Sequence, residues 1–423
     1  MIIFYFFLFF LFIFGPVFNT IGTWADSIFF ISILLSIYHL FNKKNSIPSY
    51  VNYFSVLIPL SIFTSLIALF YPKITFGDLF QIVFKPIRII ITLIGAYSLF
   101  ILIHNKYAEK YISIILNFIF FSVVVHAIIM IFQFHVPSFK EFVYSYTNTG
   151  EYRSSFEYNY RMGGLSGGSG GAVLSVVQSI GIIILPFLLN VVFTKYIKYL
   201  YFTCALIIFY SILLCGRSGI WSTLIFLPFS ILLASKSNIF IKSFNLIRII
   251  VLICIILFLI INLFNSELDE SNPVFYAFNR SLDSFLNYNE TGVFEDQTMN
   301  TLKTHILLPS DIKTILIGDT EVIVNSQFER SLNSDIGYIR NIWGLGLFGT
   351  ILYILPMLKI SSLSLKFFFY SNISKLLLLI SFITLFFHFK ERYIYTRMLF
   401  SIYSLILALF FFEVYMKKKY LSK

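Results

Sequence analysis

Apolar residues in this chain neither alternate nor recur every third or fourth position; they run together in blocks. Predominantly apolar stretches cover residues 2–18, 23–41, 51–71, 89–104 and 111–134, and again 172–193, 199–215, 219–235, 246–264, 338–358, 376–389 and 398–415. A bilayer crossing takes about 20 such residues, and flanking aromatics extend the shorter blocks. The pattern predicts an all-α, polytopic integral membrane protein with about twelve transmembrane helices. Polar positions collect in two long connections, which divides the chain into helices one to five (1–134), a first long outer loop (135–171), helices six to nine (172–264), a large outer loop (265–337) and helices ten to twelve (338–423). The large loop has apolar pieces at 302–308 and 312–316 and is expected to fold as a partly helical cap. The first block has no basic segment before it and no small-residue cleavage site, so it is expected to remain as a helix.

Composition strengthens this picture and excludes others. Of 423 residues, 58% are hydrophobic and 12% charged, at a mean hydropathy of +0.86. Ordinary soluble domains are about 25% charged, so a soluble enzyme and a nucleic-acid-binding domain are both excluded. The net charge of +11 reads as topology. With an even number of spans and both termini in the cytoplasm, the cytoplasmic side carries 16 basic and 2 acidic residues, against 15 basic and 18 acidic outside. That is the direction of the positive-inside rule. Cys204, Cys215 and Cys254 show no metal-binding spacing, and neither a metal site nor a cofactor is expected.

The kind of cation changes the picture further: nine of the ten arginines fall on the outer side, whereas most lysines fall inside. Arginine grips phosphate and carboxylate oxygens in a bidentate fork and keeps its charge where solvation is poor. Arg161 opens a run, Arg161-Met-Gly-Gly-Leu-Ser-Gly-Gly-Ser-Gly-Gly, that leads into an apolar helix. Its glycines, Gly163 and Gly164 among them, allow close backbone approach and are expected to turn N–H groups toward a ligand at a helix N-terminus. Arg217 lies in an almost loop-free turn, where an ionisable group at the membrane edge is costly unless it has a function or a partner. Arg392 sits in the short outer connection 390–397, and Arg340 begins the tenth span; together they suit a multiply charged anion. His305 is the one histidine of the large loop and a candidate general base, with Asp335 second. The competing readings are solvated loop charges for Arg153, Arg280 and Arg330, a hinge for the glycine run, headgroup contacts for Lys390 and Arg397, and a surface position for His305. His126 reads as a buried packing histidine, and His39, His104 and His388 as interfacial.

The plan of many spans with two large outer loops, the stretch from Arg161 to Gly171, the turn Gly216-Arg217-Ser218-Gly219, and the sequence Leu316-Ile317-Gly318-Asp319 followed by Ser334-Asp335-Ile336-Gly337-Tyr338-Ile339-Arg340 and Gly344-Leu345-Gly346-Leu347-Phe348-Gly349 are together similar to the Wzy-type polysaccharide polymerases, relatives of the O-antigen ligases. Cys-Gly stands ahead of Arg217 where that family has Thr-Ser, and a second arginine-to-glycine motif is not clear in the large loop. The resemblance implies a protein of the bacterial cytoplasmic membrane. It would pass a glycan from undecaprenyl pyrophosphate to the next lipid-linked repeat unit on the periplasmic face. It further implies undecaprenyl-pyrophosphate-linked oligosaccharides and membrane lipid as partners, a chain-length regulator as a candidate protein partner, and no nucleic acid. In that scheme Arg161, Arg217, Arg340 and Arg392, with Gly163 and Gly164, hold pyrophosphate or glycan, and His305 or Asp335 serves the acceptor hydroxyl. The alternatives are an O-antigen ligase and a non-enzymatic lipid-linked oligosaccharide flippase.

Overall fold

The computed structural model describes residues 2–18, 26–41, 47–69, 76–147, 160–166, 171–190, 195–234, 287–288, 292, 300, 304–319 and 334–421. Helices dominate these residues, and the only β-type pairings among them are the isolated bridges Val17 with Asp26 and Phe18 with Thr147. In chain order the helices are α1 (Ile2–Phe14), α2 (Ser27–Phe41), α3 (Val51–Phe54), α4 (Leu57–Ala68), α5 (Phe76–Tyr107), α6 (Tyr111–His135), α7 (Pro137–Tyr146), α8 (Gly171–Leu189), α9 (Lys195–Leu213), α10 (Arg217–Ala234), α11 (Ile312–Ile317), α12 (Gly337–Lys366), α13 (Asn372–Phe387) and α14 (Arg397–Leu421). Eight helical stretches among the described residues are long and apolar enough to cross a bilayer, and α1, α2 and α13 are shorter apolar helices. Large apolar side chains stand exposed on them, among them Phe63, Phe202 and Phe348. The protein is an all-helical, multi-pass membrane protein. In hydrocarbon each backbone N–H and C=O needs an internal partner, which the helix supplies along its length. The expected span 246–264 lies outside the described residues, as do Arg153, Arg280, Arg330 and Cys254.

The chain forms two compact units, Met1–Phe30 with Ile103–Phe294, and Ile31–Leu102 with Glu295–Lys423. In the first, α8 is enclosed by α6, α9 and α10. It is apolar all round and buries 14 of its residues, as a helix surrounded by others must. Small residues let the backbones close up: a Cβ on Gly219 of α10 would come within 2.4 Å of the Ser175 carbonyl oxygen, and Ser179 bonds Ser222 at 2.7 Å. The expected outer loop after α6 begins with a helix, α7, whose Pro137 suits a first-turn position where no N–H is needed.

In the second unit α12 packs against α4, α11 and α13, and α13 against α14. Helix α5 starts at Phe76, well before the expected residue 89, and carries Lys85 and Arg88 on its third and fourth turns. Helix α12 is broken at Gly346 (φ 67°, ψ −179°). His39 and His388, expected at the interface, are both 1% exposed, whereas His104 is half-buried. The reason is visible at His388: its ring accepts backbone N–H groups of the chain that follows it, which draws it inward.

Candidate functional site

In the first unit the segment 160–166 rests on a platform of α6, α7 and α8 side chains. The Gly163 N–H donates to Tyr144 Oη at 2.9 Å, the Gly164 N–H to Gln133 Oε1 at 2.9 Å, and the Leu165 N–H to His126 Nε2 at 3.2 Å. Gln133 Nε2 in turn donates to the Gly164 carbonyl at 3.1 Å. Gly164 is at φ +58°, and a Cβ there would fall 2.2 Å from His126 Nε2. Burial pushes the Tyr144 phenol up to about 12, so it stays neutral. His126 is fully buried, as expected, and stacks on Phe14 with ring centres 4.2 Å apart. Because Nε2 accepts from Leu165, the ring proton is on Nδ1. Gln178 Nε2 is placed 2.7 Å from Nδ1, and a half-turn of that amide gives the ring N–H an oxygen acceptor.

These N–H groups, read from the sequence as pointing at a ligand, are thus each taken up by a side chain of the platform. The glycines serve close packing there, and they hold the half-buried Arg161 at the head of the segment. The N–H of the next residue, Met162, donates to the Leu214 carbonyl at 2.9 Å, tying the segment to the turn before Arg217. That turn is seated on the start of α8: the Gly219 N–H donates to Ser175 Oγ at 2.9 Å. Arg217 is the first residue of α10. Arg161, Gly163, Gly164 and Arg217 consequently belong to one corner of the first unit.

The second unit joins the remaining candidates. His305 is 7% exposed, and its Nδ1 lies 3.3 Å from the Asp335 N–H and 3.8 Å from Asp335 Oδ2. Asp335 itself is exposed, and Ser334 Oγ donates to the His305 carbonyl at 2.8 Å. Accepting that N–H makes Nδ1 the unprotonated nitrogen of the neutral ring. Trp343 Nε1 reaches the Leu307 carbonyl at 2.7 Å, and Arg340 Nε the Ser334 carbonyl at 2.5 Å. Helix α11, capped at its start by the Asp311 side chain, ends against the break in α12. A Cβ on Gly318 (φ +89°) would come within 2.4 Å of Gly346 N, and one on Gly346 within 2.3 Å of the Leu316 carbonyl oxygen. The separated motif pieces 316–319 and 344–349 are therefore one backbone-to-backbone joint.

Arg340 and Arg392 line a single pocket together with Lys85, Asn341 and Tyr353. Leu57, Leu60, Ile82, Pro86, Ile89 and Leu345 supply its apolar lining, Ser61 and Thr64 add hydroxyls, and no lining residue is acidic. The arginines were singled out in the sequence; Lys85 was not. Its signal was present, because an ionisable residue on an apolar membrane helix is a functional candidate by default. His305 and Asp335 do not line this pocket. Among the described residues no three His, Cys, Asp or Glu side chains gather as a metal site would require. No family model, no curated protein and no solved structure matches the chain.

Proposed function

We propose that the protein polymerises lipid-linked oligosaccharide repeat units on the outer face of the bacterial cytoplasmic membrane. The observation that carries this reading is the chemistry of the pocket in the second unit, whose lining combines three cations, Lys85, Arg340 and Arg392, with six aliphatic side chains. A polyprenyl diphosphate combines the same two chemistries, a charged head joined to a greasy tail. In the reaction, an acceptor sugar hydroxyl attacks the anomeric carbon of the donor glycan, and the bond from that carbon to the diphosphate oxygen breaks. The diphosphate leaves with the electron pair. Cations placed where this charge grows lower the barrier most directly, and the scheme draws on protein cations alone.

Arg340, Arg392 and Lys85 hold the leaving diphosphate. Arg161 and Arg217 supply further cations for lipid diphosphate or glycan, and Gly163 and Gly164 set Arg161 in place. Asp335, exposed, takes the proton from the acceptor hydroxyl, and buried His305 is a positioning residue that holds it. The reading includes twelve spans, both termini in the cytoplasm, undecaprenyl-pyrophosphate-linked glycans as substrates, and a chain-length regulator as partner. It is tested by deleting the gene and analysing surface glycan. Single displayed repeat units support a polymerase. Undisplayed precursor identifies a flippase, and long chains left on the carrier lipid identify a ligase.

A further inference from the structure

His388 closes the chain after α13 and touches the pocket through one neighbour. The N–H groups of Tyr393 and Ile394 both point at its Nδ1, at 3.1 and 3.4 Å. A nitrogen that accepts them has its lone pair in the ring plane and no proton, so the proton of the neutral imidazole is on Nε2. Asn341 Nδ2 is placed 2.9 Å from Nε2, which with that tautomer sets two donors face to face. An N–H there needs an acceptor, and the only accepting atom of an asparagine amide is its oxygen. A half-turn of the amide resolves the conflict, bringing the oxygen to His388 and turning the NH2 away from it. Asn341 is 8% exposed and lines the same pocket as Lys85, Arg340 and Arg392. Gly337 leaves the space for this arrangement, since a Cβ on it would fall 2.6 Å from His388 Cε1.

The geometry points to Asn341 as a diphosphate-binding residue of this pocket, its amide held by His388 so that the NH2 group donates to an anionic oxygen. The inference deepens the polymerase reading and rests on it. His388 touches no ligand; it is a positioning residue, and it works by denying the amide its other orientation. Lysine and arginine attract any anion, whereas a fixed neutral donor responds to where the oxygen is. Asn341 therefore adds direction to a pocket in which Lys85, Arg340 and Arg392 supply charge.

The test uses the full chain in lipid nanodiscs, with farnesyl diphosphate and farnesol as probes. Asn341→Asp keeps the shape and still accepts from His388 Nε2, but it puts a carboxylate oxygen where the NH2 stood. It should weaken farnesyl diphosphate binding by about tenfold or more and leave farnesol binding unchanged. Asn341→Ala should lose about tenfold, and adding His388→Ala to it should cost nothing further in diphosphate affinity. Arg340→Ala serves as the check on the underlying reading. If Arg340→Ala loses diphosphate binding while both Asn341 variants bind like the wild type, the role of Asn341 is overturned and the polymerase reading stands. If the wild type does not prefer the diphosphate to farnesol and Arg340→Ala changes nothing, both are overturned.

Discussion

Gly164 crosses the ring of His126 so closely that a Cβ on the glycine would lie 2.2 Å from Nε2. The backbone there is also left-handed, at φ +58°. Gly164→Ala should therefore destabilise the first unit by about 2 kcal/mol or more, the sum of a strained backbone and an overfilled core. Thermal unfolding in detergent reads this as a lowered Tm. Adding His126→Ala should restore part of the loss, because the clash goes while the backbone strain stays. A Gly164→Ala protein as stable as the wild type would show that the contact is not maintained in solution.

The joint between α11 and α12 makes a second case. Gly346→Ala and Gly318→Ala each place a methyl group within 2.4 Å of facing backbone. Either should part α11 from α12 and free the backbone around Lys313, the exposed trypsin site on α11, to open into the protease. Cleavage there should quicken by about tenfold, as expected when 1–2 kcal/mol of docking is lost. The membrane helices should remain intact in the same digest. Unchanged cleavage would mean that α11 is held by its other contacts.

Charge in the pocket is tested by turnover. Arg340→Ala and Arg392→Ala should each reduce glycan transfer by about 10²–10³-fold, the scale seen when one donor to a growing negative charge is removed. Lysine at either position should keep more activity than alanine, as a point charge without the fork.

In the first unit, Arg217→Ala should abolish polymer while the protein still accumulates in the membrane, and Arg217→Lys should keep a small fraction. Normal chain length in cells carrying Arg217→Ala would remove that residue from the mechanism.

Asp335 and His305 are distinguished by the size of the loss. Asp335→Asn should lower turnover by about 10²–10⁴-fold, the usual worth of a general base, with little change in lipid binding. His305→Ala should cost less, because His305 acts through Asp335. An active Asp335→Asn enzyme beside an inactive His305→Ala one would make His305 the base instead.

Much of this architecture is legible from residue order. Each expected apolar block that falls on described residues is for the most part helical, because a backbone in hydrocarbon has few other ways to satisfy its polar groups. Arg340 and Arg392 stood out by position, one at the start of an apolar span and the other in a short outer connection where the positive-inside rule disfavours cations. Lys85 was hidden by its own neighbours. Lys85, Pro86 and Arg88 interrupt the apolar run, which moved the expected start of that helix to residue 89, although the helix begins at Phe76.

The sequence by itself determined that this is an all-helical membrane protein, and which of its cations are out of place. Those follow from local chemistry, the transfer cost of each side chain and the bonding needs of each peptide group. Only the tertiary structure decided where the Gly163 and Gly164 N–H groups point, since their acceptors, Tyr144 and Gln133, lie 19 and 31 positions away along the chain. It likewise brought Lys85 to Arg340 and Arg392, and Asn341 to His388, 47 positions away along the chain. A hydrogen bond has a direction that both partners must share, and residue order records only one partner at a time.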